Sequence, residues 1–311
     1  MSLSDSRWRA LRRPRRNLGR DRTRPSINKK GMTVLEVLRS SADYFAKRKI
    51  DNPRLNAEHL LAHVLGRKRL ELYLEFEREL DEPELAPLRD LVRRRGEGEP
   101  LQHLLGTVEF CGHSFLCDKR ALVPRPETEE LVEKIISDFR FQISDFQILD
   151  VGTGSGVIAL SLAAKFPEAK IYATDVSEEA LALARENAAC LGLSERVRFA
   201  KSDLLDAIEG DFDLIVANLP YVSTQDQQSL SREVLHDPET ALFAGESGDE
   251  IIRQLIEQAR ARLRTSGLLA LEIGLGQSAA LSAFLSEKNY HDIESKTDYS
   301  GIPRFLFARY G

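Results

Sequence analysis

Cysteine is scarce in this 311-residue chain. Cys111, Cys117 and Cys190 are too few and too unevenly spaced for a disulfide framework or a zinc site. A reducing compartment suits them. No apolar run approaches the roughly 18 residues of a membrane span, so no membrane association is expected. His59 and His63 stand four apart, but no His-Glu-x-x-His pattern surrounds them. They read as helix-face histidines, and no metal is expected.

Acidic residues are nearly missing from one place, the first 31 positions. Eleven Arg or Lys stand there against Asp5 and Asp21, about +9, which leaves about −14 for the rest of a chain of net charge −5. The segment has no apolar core of a secretory signal. Its readings are a basic arm touching RNA, an Arg-rich organelle transit peptide, or an upstream extension with the working start at Met32. The last, or plain disorder, is favoured, because blocks of like charge are usually solvated tails. An acidic body argues against a protein that grips nucleic acid along its own surface, so no direct DNA binding is expected.

Hydrophobic residues make up 42% of the chain and charged residues 30%, enough apolar content for a packed core. From Thr33 to about Leu104 the apolar residues recur at helical spacing, as in Ala57, Leu60, Leu61 and Val64. Gly106 to Leu122 reads as a β-hairpin around Cys111-Gly112-His113-Ser114. The run Val123-Pro124-Arg125-Pro126-Glu127-Thr128-Glu129 is a stiff extended segment entering a helix. It is either a helix-entry turn or a rigid wall of a site. Ile136-Ser137-Asp138-Phe139 is nearly repeated at Ile143-Ser144-Asp145-Phe146. The first copy reads as a short insertion, and the second leads into a strand.

Beyond Gln147, strands are expected at 148–151, 170–174, 197–201, 212–217, 268–273, 290–295 and 304–310. Helices are expected at 157–165, 178–191, 249–263 and 278–288. This alternation means βαβ units in a mostly parallel sheet with helices on both faces, and the last two strands suggest an antiparallel hairpin at one edge.

Four features at the strand ends carry chemistry. Asp150-Val151-Gly152-Thr153-Gly154-Ser155-Gly156 follows a strand and opens a helix, where glycines permit tight turning and close ligand approach. Its spacing departs from the dinucleotide pattern Gly-x-Gly-x-x-Gly. Asp150 would repel a pyrophosphate but could engage a cationic amino group, directly or through water. Asp175, about 20 residues on, stands where a carboxylate binds a ribose diol. Asp203 follows the next strand and could accept from the exocyclic amine of a base. A nucleoside bearing an amino acid fits this set, and that ligand is S-adenosylmethionine. Asn218-Leu219-Pro220-Tyr221 ends the apolar run 214–217, and its amide and carbonyls suit a substrate with an NH2 group.

This ordered set resembles the Rossmann-like class I methyltransferases, and the tetrapeptide narrows it to those that methylate planar amide or amine nitrogens. Further stretches resemble one family, the release-factor glutamine-N5 methyltransferases. They are Gly98-Glu99-Pro100-Leu101-Gln102, Leu122 through Glu129, Asp237-Pro238-Glu239-Thr240-Ala241-Leu242-Phe243-Ala244-Gly245, Leu271-Glu272-Ile273-Gly274 with Gln277, and Asp298 through Gly301 to Arg304. The resemblance runs from about Met32 to the C-terminus. It implies an α/β chain: a basic extension over 1–31, a helical substrate-recognition domain over 32–105, a β-hairpin linker over 106–122, and a seven-stranded methyltransferase domain over 123–311.

It also implies the roles. Asn218, Leu219, Pro220 and Tyr221 would be catalytic and hold the substrate glutamine, with Arg125 and Pro126 beside them. Asp150, Gly152, Thr153, Gly154, Ser155, Gly156, Asp175, Asp203, Leu204 and Asn218 would hold S-adenosylmethionine. The implied partner is a class I peptide chain release factor in a bacterial cytoplasm. The rival substrates are a ribosomal protein and DNA. Leu219 stands where the family usually has proline, and His236-Asp237-Pro238 replaces a usual Glu-Pro.

Overall fold

The computed structural model describes residues 31–138 and 145–311. The basic extension, apart from Gly31, and the junction of the near-duplicate segments at 139–144 lie outside the described residues. The chain divides into two compact units, the second running Arg93–Gly311.

The first unit is helical. Strand β1 (Met32–Thr33) pairs antiparallel with β2 (Glu79–Leu80) and leads into α1 (Val34–Lys47). Thr33 begins α1 with a capping box: its hydroxyl accepts from the Glu36 N–H, and the Glu36 carboxylate accepts from the Thr33 N–H at 2.8 Å. Pro53 opens α2 (Pro53–Leu65) at its first position, where the missing N–H costs nothing. The two helices bury Val34, Leu38 and Phe45 from one and Ala57, Leu60 and Leu61 from the other. The division between the units falls within α3 (Glu82–Gly96).

The second unit is built on one sheet. After α4 (Leu101–Leu105), the expected hairpin forms as β3 (Thr107–Phe110) and β4 (His113–Leu116). Its turn residues Cys111 and Gly112 both have positive φ, 46° and 74°, which matches the twist of a two-residue hairpin. Then follow α5 (Pro126–Asp138), β5 (Gln147–Val151), α6 (Val157–Lys165), β6 (Lys170–Asp175), α7 (Glu178–Leu191), β7 (Val197–Lys201) and β8 (Phe212–Asn218). A segment of three 3₁₀ turns connects β9 (Val222–Ser223) to β10 (Phe243–Gly245), which pair with each other. The chain closes with α8 (Glu250–Ala259), β11 (Leu263–Glu272), α9 (Ser278–Glu287), β12 (Tyr290–Thr297) and β13 (Pro303–Tyr310).

The sheet order is β12-β13-β11-β8-β5-β6-β7. Alternate residues of each central strand go to opposite faces. Ile148, Leu214, Val216, Leu268 and Ala270 pack with α5 and α6. Leu149, Val151, Ile215, Ala217, Leu269 and Leu271 pack with α8 and α9. The result is a three-layer α/β sandwich with seven strands, as expected.

Two details differ from the sequence reading. Helix α8 stops at Ala259, short of residue 263, because the chain turns there and the Arg262 carbonyl accepts from the Phe212 N–H at 2.7 Å, starting β11 early. The last two strands do pair antiparallel at the edge, but β13 lies inside β12 and also pairs antiparallel with β11. From β5 the chain winds outward through β6 and β7, then returns to β8 on the other side of β5. That reversal puts a switch point, and therefore a crevice, at the carboxyl ends of β5 and β8.

Candidate active site

A cleft of about 1000 Å³, measured out to its open mouth, sits at this switch point. Its wall on one side is the glycine loop after β5. Gly152, Gly154 and Gly156 have φ of 71°, 56° and 84°, values that explain the Gly-x-Gly-x-Gly spacing. Asp175, at the end of β6, clamps this loop. Its two oxygens accept from the Gly154 N–H at 2.9 Å and the Ser177 N–H at 2.8 Å. Burial raises the Asp175 pKa above the usual aspartate value, opposed by these amide bonds.

Asp150 takes a supporting place. It is fully buried and lies outside the cleft lining. One of its oxygens accepts from the Thr153 hydroxyl at 2.6 Å and the Ala159 N–H at 3.1 Å, tying the loop to the first turn of α6. Burial pushes its pKa up to about 7. Asp203 is exposed and lines the cleft with Leu204, whose φ of 46° is strained for a leucine. Arg120 also lines it, but its guanidinium is held by Asp118 at 2.8 Å and Glu186 at 2.7 Å. The charges left facing the cleft are therefore carboxylates. They suit a ligand with a cationic group and hydroxyls, and they oppose a diphosphate.

The other wall is the tetrapeptide after β8. Asn218, Leu219 and Pro220 line the cleft, and the half-buried Tyr221 lies outside its lining. Asn218 is oriented by a relay of side chains. Its Nδ2 donates to the Thr128 hydroxyl oxygen at 2.9 Å. That hydroxyl donates to Glu272 Oε2 at 2.7 Å. The Tyr221 hydroxyl points at Glu272 Oε1 from 3.5 Å. Burial pushes Glu272 up to about 7 and Tyr221 up to about 12. Gln277 grips the backbone beneath, donating to the Tyr221 carbonyl at 3.2 Å and the Gly248 carbonyl at 2.8 Å. Among the described residues no hydrogen bond uses the Leu219 carbonyl. The Leu219 side chain is buried against Gly152: a Cβ on that glycine would lie 2.8 Å from Leu219 Cδ2. Packing on the loop thus anchors this position in the absence of a proline ring.

The structure brings together Gly152, Thr153, Gly154, Ser155, Asp175, Asp203, Leu204, Asn218, Leu219 and Pro220 around one cleft. Asp150, Gly156, Tyr221, Arg125 and Pro126 lie outside its lining. The 123–126 segment does form a wall, but through Pro124, with Thr128 following. Arg125 turns away to an ion pair with Asp237 at 2.5 Å, and Asp237 also accepts from the Val123 N–H at 3.1 Å. Thr128 and Glu272 had no role assigned from the sequence. Glu272 carried a signal nonetheless, as an acid inside the apolar run Leu268 to Ile273.

Two family models match the chain: the PrmC N-terminal domain over residues 36–106 and the methyltransferase small domain over residues 128–247. Among solved structures, the hMettl16 catalytic domain in complex with MAT2A 3'UTR hairpin 6 is 19% identical, with a TM-score of 0.51 over 74% of this chain and 82% of that one. That likeness concerns the fold alone. A sheet of this order, with its glycine loop and acid-lined crevice, defines a class I methyltransferase. Curated relatives named release factor glutamine methyltransferase include those of Chlorobaculum tepidum and Rhodopirellula baltica, each 40% identical over 88% of this chain and 96% or 95% of theirs. That of Deinococcus radiodurans is 40% identical over 89% of this chain and 99% of its own. The chain belongs to the release factor glutamine methyltransferase family.

Proposed function

We propose that this protein methylates the side-chain amide nitrogen, N5, of the glutamine in the Gly-Gly-Gln motif of class I release factors, with S-adenosylmethionine as donor. The observation that carries this reading is the orientation of Asn218. With its Nδ2 committed to Thr128, its Oδ1 is the atom left to accept, beside the Leu219 carbonyl.

An amide nitrogen is a weak nucleophile, because its lone pair is delocalised into the carbonyl. Asn218 Oδ1 and the Leu219 carbonyl accept the two N–H bonds of the substrate amide and fix the nitrogen. They also favour positive charge on that nitrogen, which grows in the transition state. Orientation of this kind is worth up to about 7–11 kcal/mol in intramolecular reactions. Tyr221 packs near the amide plane. The proton leaves after transfer, so no strong base is needed beforehand. The bound donor supplies an electrophilic methyl on a sulfonium. The glycine loop would leave room for it and Asp175 and Asp203 would take its hydroxyls and base amine, while Asp150 steadies the loop.

In this reading the helical segment 32–105 recognises the protein substrate, the hairpin 106–122 links it to the catalytic domain 123–311, and the reaction occurs in the cytoplasm. Among the described residues no helix is long and apolar enough to cross a membrane. The test incubates the protein and Asn218→Ala with methyl-labelled donor and release factor, ribosomes or DNA. Label is expected in the release factor and lost when the motif glutamine is changed to alanine. Label in ribosomal protein or DNA alone would overturn the substrate assignment, and undiminished turnover by Asn218→Ala would overturn the mechanism.

A further inference from the structure

We infer that Glu272 is a positioning residue that sets, through Thr128, which atom of the Asn218 amide faces the substrate. This rests on the proposed role of Asn218. A threonine hydroxyl has one proton and can donate one hydrogen bond. An ionised glutamate has no proton and can only accept. Thr128 Oγ1 lies 2.7 Å from Glu272 Oε2, so its proton goes there. Only lone pairs then remain on the Thr128 oxygen to meet Asn218, 2.9 Å away. The asparagine must present its NH2 group to Thr128 and its carbonyl oxygen to the other side. A substrate NH2 needs that oxygen.

The same count runs in reverse when Glu272 holds a proton. A carboxylic acid can donate to Thr128, and the Thr128 proton is then released towards Asn218. The asparagine can meet it with its oxygen, which turns the NH2 group into the cleft. Two N–H donors would then face the substrate amide, and the acceptor pocket is lost. One proton on a residue that does not line the cleft thus selects between a competent and an incompetent asparagine.

The surroundings of Glu272 favour its use as this control. Glu272 is 1% exposed, at the carboxyl end of an apolar strand. An ionised group in such a place is costly, and a glutamine would fill the volume without the charge. The charged and titratable groups that face it are Glu127 from α5, Arg304 from β13 and Tyr221 from the tetrapeptide. Burial and Glu127 favour the protonated form, while Thr128, Arg304 and Tyr221 favour the ionised form. Arg304 is shared with Asp298 at 3.6 Å and does not neutralise Glu272 outright. The balance falls at about 7, where a change of pH by one unit alters the ionised fraction substantially.

The test measures kcat against pH, at saturating donor and release factor, for the wild type, Glu272→Gln, Thr128→Val, Thr128→Ser and Asn218→Ala. Wild-type kcat should rise through one ionisation near neutrality. Glu272→Gln can neither be ionised nor enforce one amide orientation, so its kcat should be lower, by about tenfold, and flat with pH. Thr128→Val should lose about tenfold or more, and Thr128→Ser should recover most of that loss. Donor affinity by calorimetry, with far-ultraviolet circular dichroism, shows that each variant is folded. A Glu272→Gln enzyme with the wild-type kcat and pH profile would overturn the inference. So would a pH dependence that survives in Glu272→Gln, because the titrating group would then lie elsewhere, Asp150 being the other buried acid near 7. If Asn218→Ala keeps its rate, it is the proposed catalytic role that fails, not the relay.

Discussion

The two walls of the cleft are held by different means. The glycine-loop wall, the proposed donor wall, is local. Between Asp150 and Ser177, three glycines, two aspartates and a handful of backbone amides fix one another. The tetrapeptide wall, the proposed acceptor wall, is assembled from afar. Asn218 is held by Thr128, 90 positions away, and Thr128 by Glu272, 144 positions away. A wall made of backbone geometry tolerates changes in the side chains around it. A wall made of a side-chain relay fails if any member changes its proton count. The walls touch where Leu219 packs on Gly152, so they are not fully independent.

That comparison breaks most visibly at Asn218. Asn218→Ala should lower kcat by about 10²–10³-fold, the scale of removing one transition-state hydrogen-bonding group. Donor affinity should hardly move if the walls act separately, and calorimetry together with single-turnover rates tests this.

The opposite signature belongs to Asp175→Asn. The carboxylate accepts two N–H groups with its two oxygens, whereas an amide offers one oxygen and turns an NH2 group on the other donor. Donor affinity should fall by about tenfold or more, since hydrogen bonds to charged groups are worth about 1.5–3 kcal/mol. The rate at saturating donor should stay much closer to wild type. An equal loss in both would show that the walls act as one.

Gly152→Ala probes the contact between them. The new methyl meets Leu219 Cδ2 at 2.8 Å, at a backbone φ of 71°. The left-handed conformation alone costs about 1–2 kcal/mol for a residue with a Cβ. Leu219→Ala added to Gly152→Ala should relieve the clash and leave the backbone cost. A double-mutant cycle on melting temperature and kcat measures the coupling.

The smallest effect is one of stability with pH. A carboxyl whose folded pKa is raised, as at Glu272 from 4.5 to about 7, stabilises the fold at low pH, and this contribution is lost as pH rises through the folded pKa. Glu272→Gln should therefore gain melting temperature relative to wild type at pH 8 and gain less at pH 5. A protein that keeps such a residue keeps it at a cost to stability, which accords with a role in the site.

The same contrast governs what could be read in the sequence. The placement of the glycine-loop wall was legible because its residues follow successive strands at short spacing, and strand ends in a parallel sheet share one edge. Asp150, Gly154 and Asp175 needed only the β-α-β alternation to be placed together. The relay was not legible, because no local rule joins Thr128 to Glu272. Their contact depends on α5 packing beside β11, a tertiary outcome. Arg125 and Pro126 show the limit from the other side. The stiffness of the segment was readable, but which of its side chains would face the cleft was not, since the Asp237 that draws Arg125 away lies more than 100 positions downstream. The slot taken by β13 was hidden for a similar reason: pairing order is decided by the sheet, not by the strand.

Asn187 on α7 makes one further point. Its buried amide accepts from the Leu116 N–H at 2.6 Å and donates to the Leu116 carbonyl at 3.2 Å and to the Ser155 carbonyl at 2.9 Å. One side chain therefore joins the β3–β4 hairpin to the glycine loop. The two cannot be exchanged separately between relatives. A chimera that imports the hairpin must import the residue at 187 with it, and a recombination point placed between them would cut through a single joint.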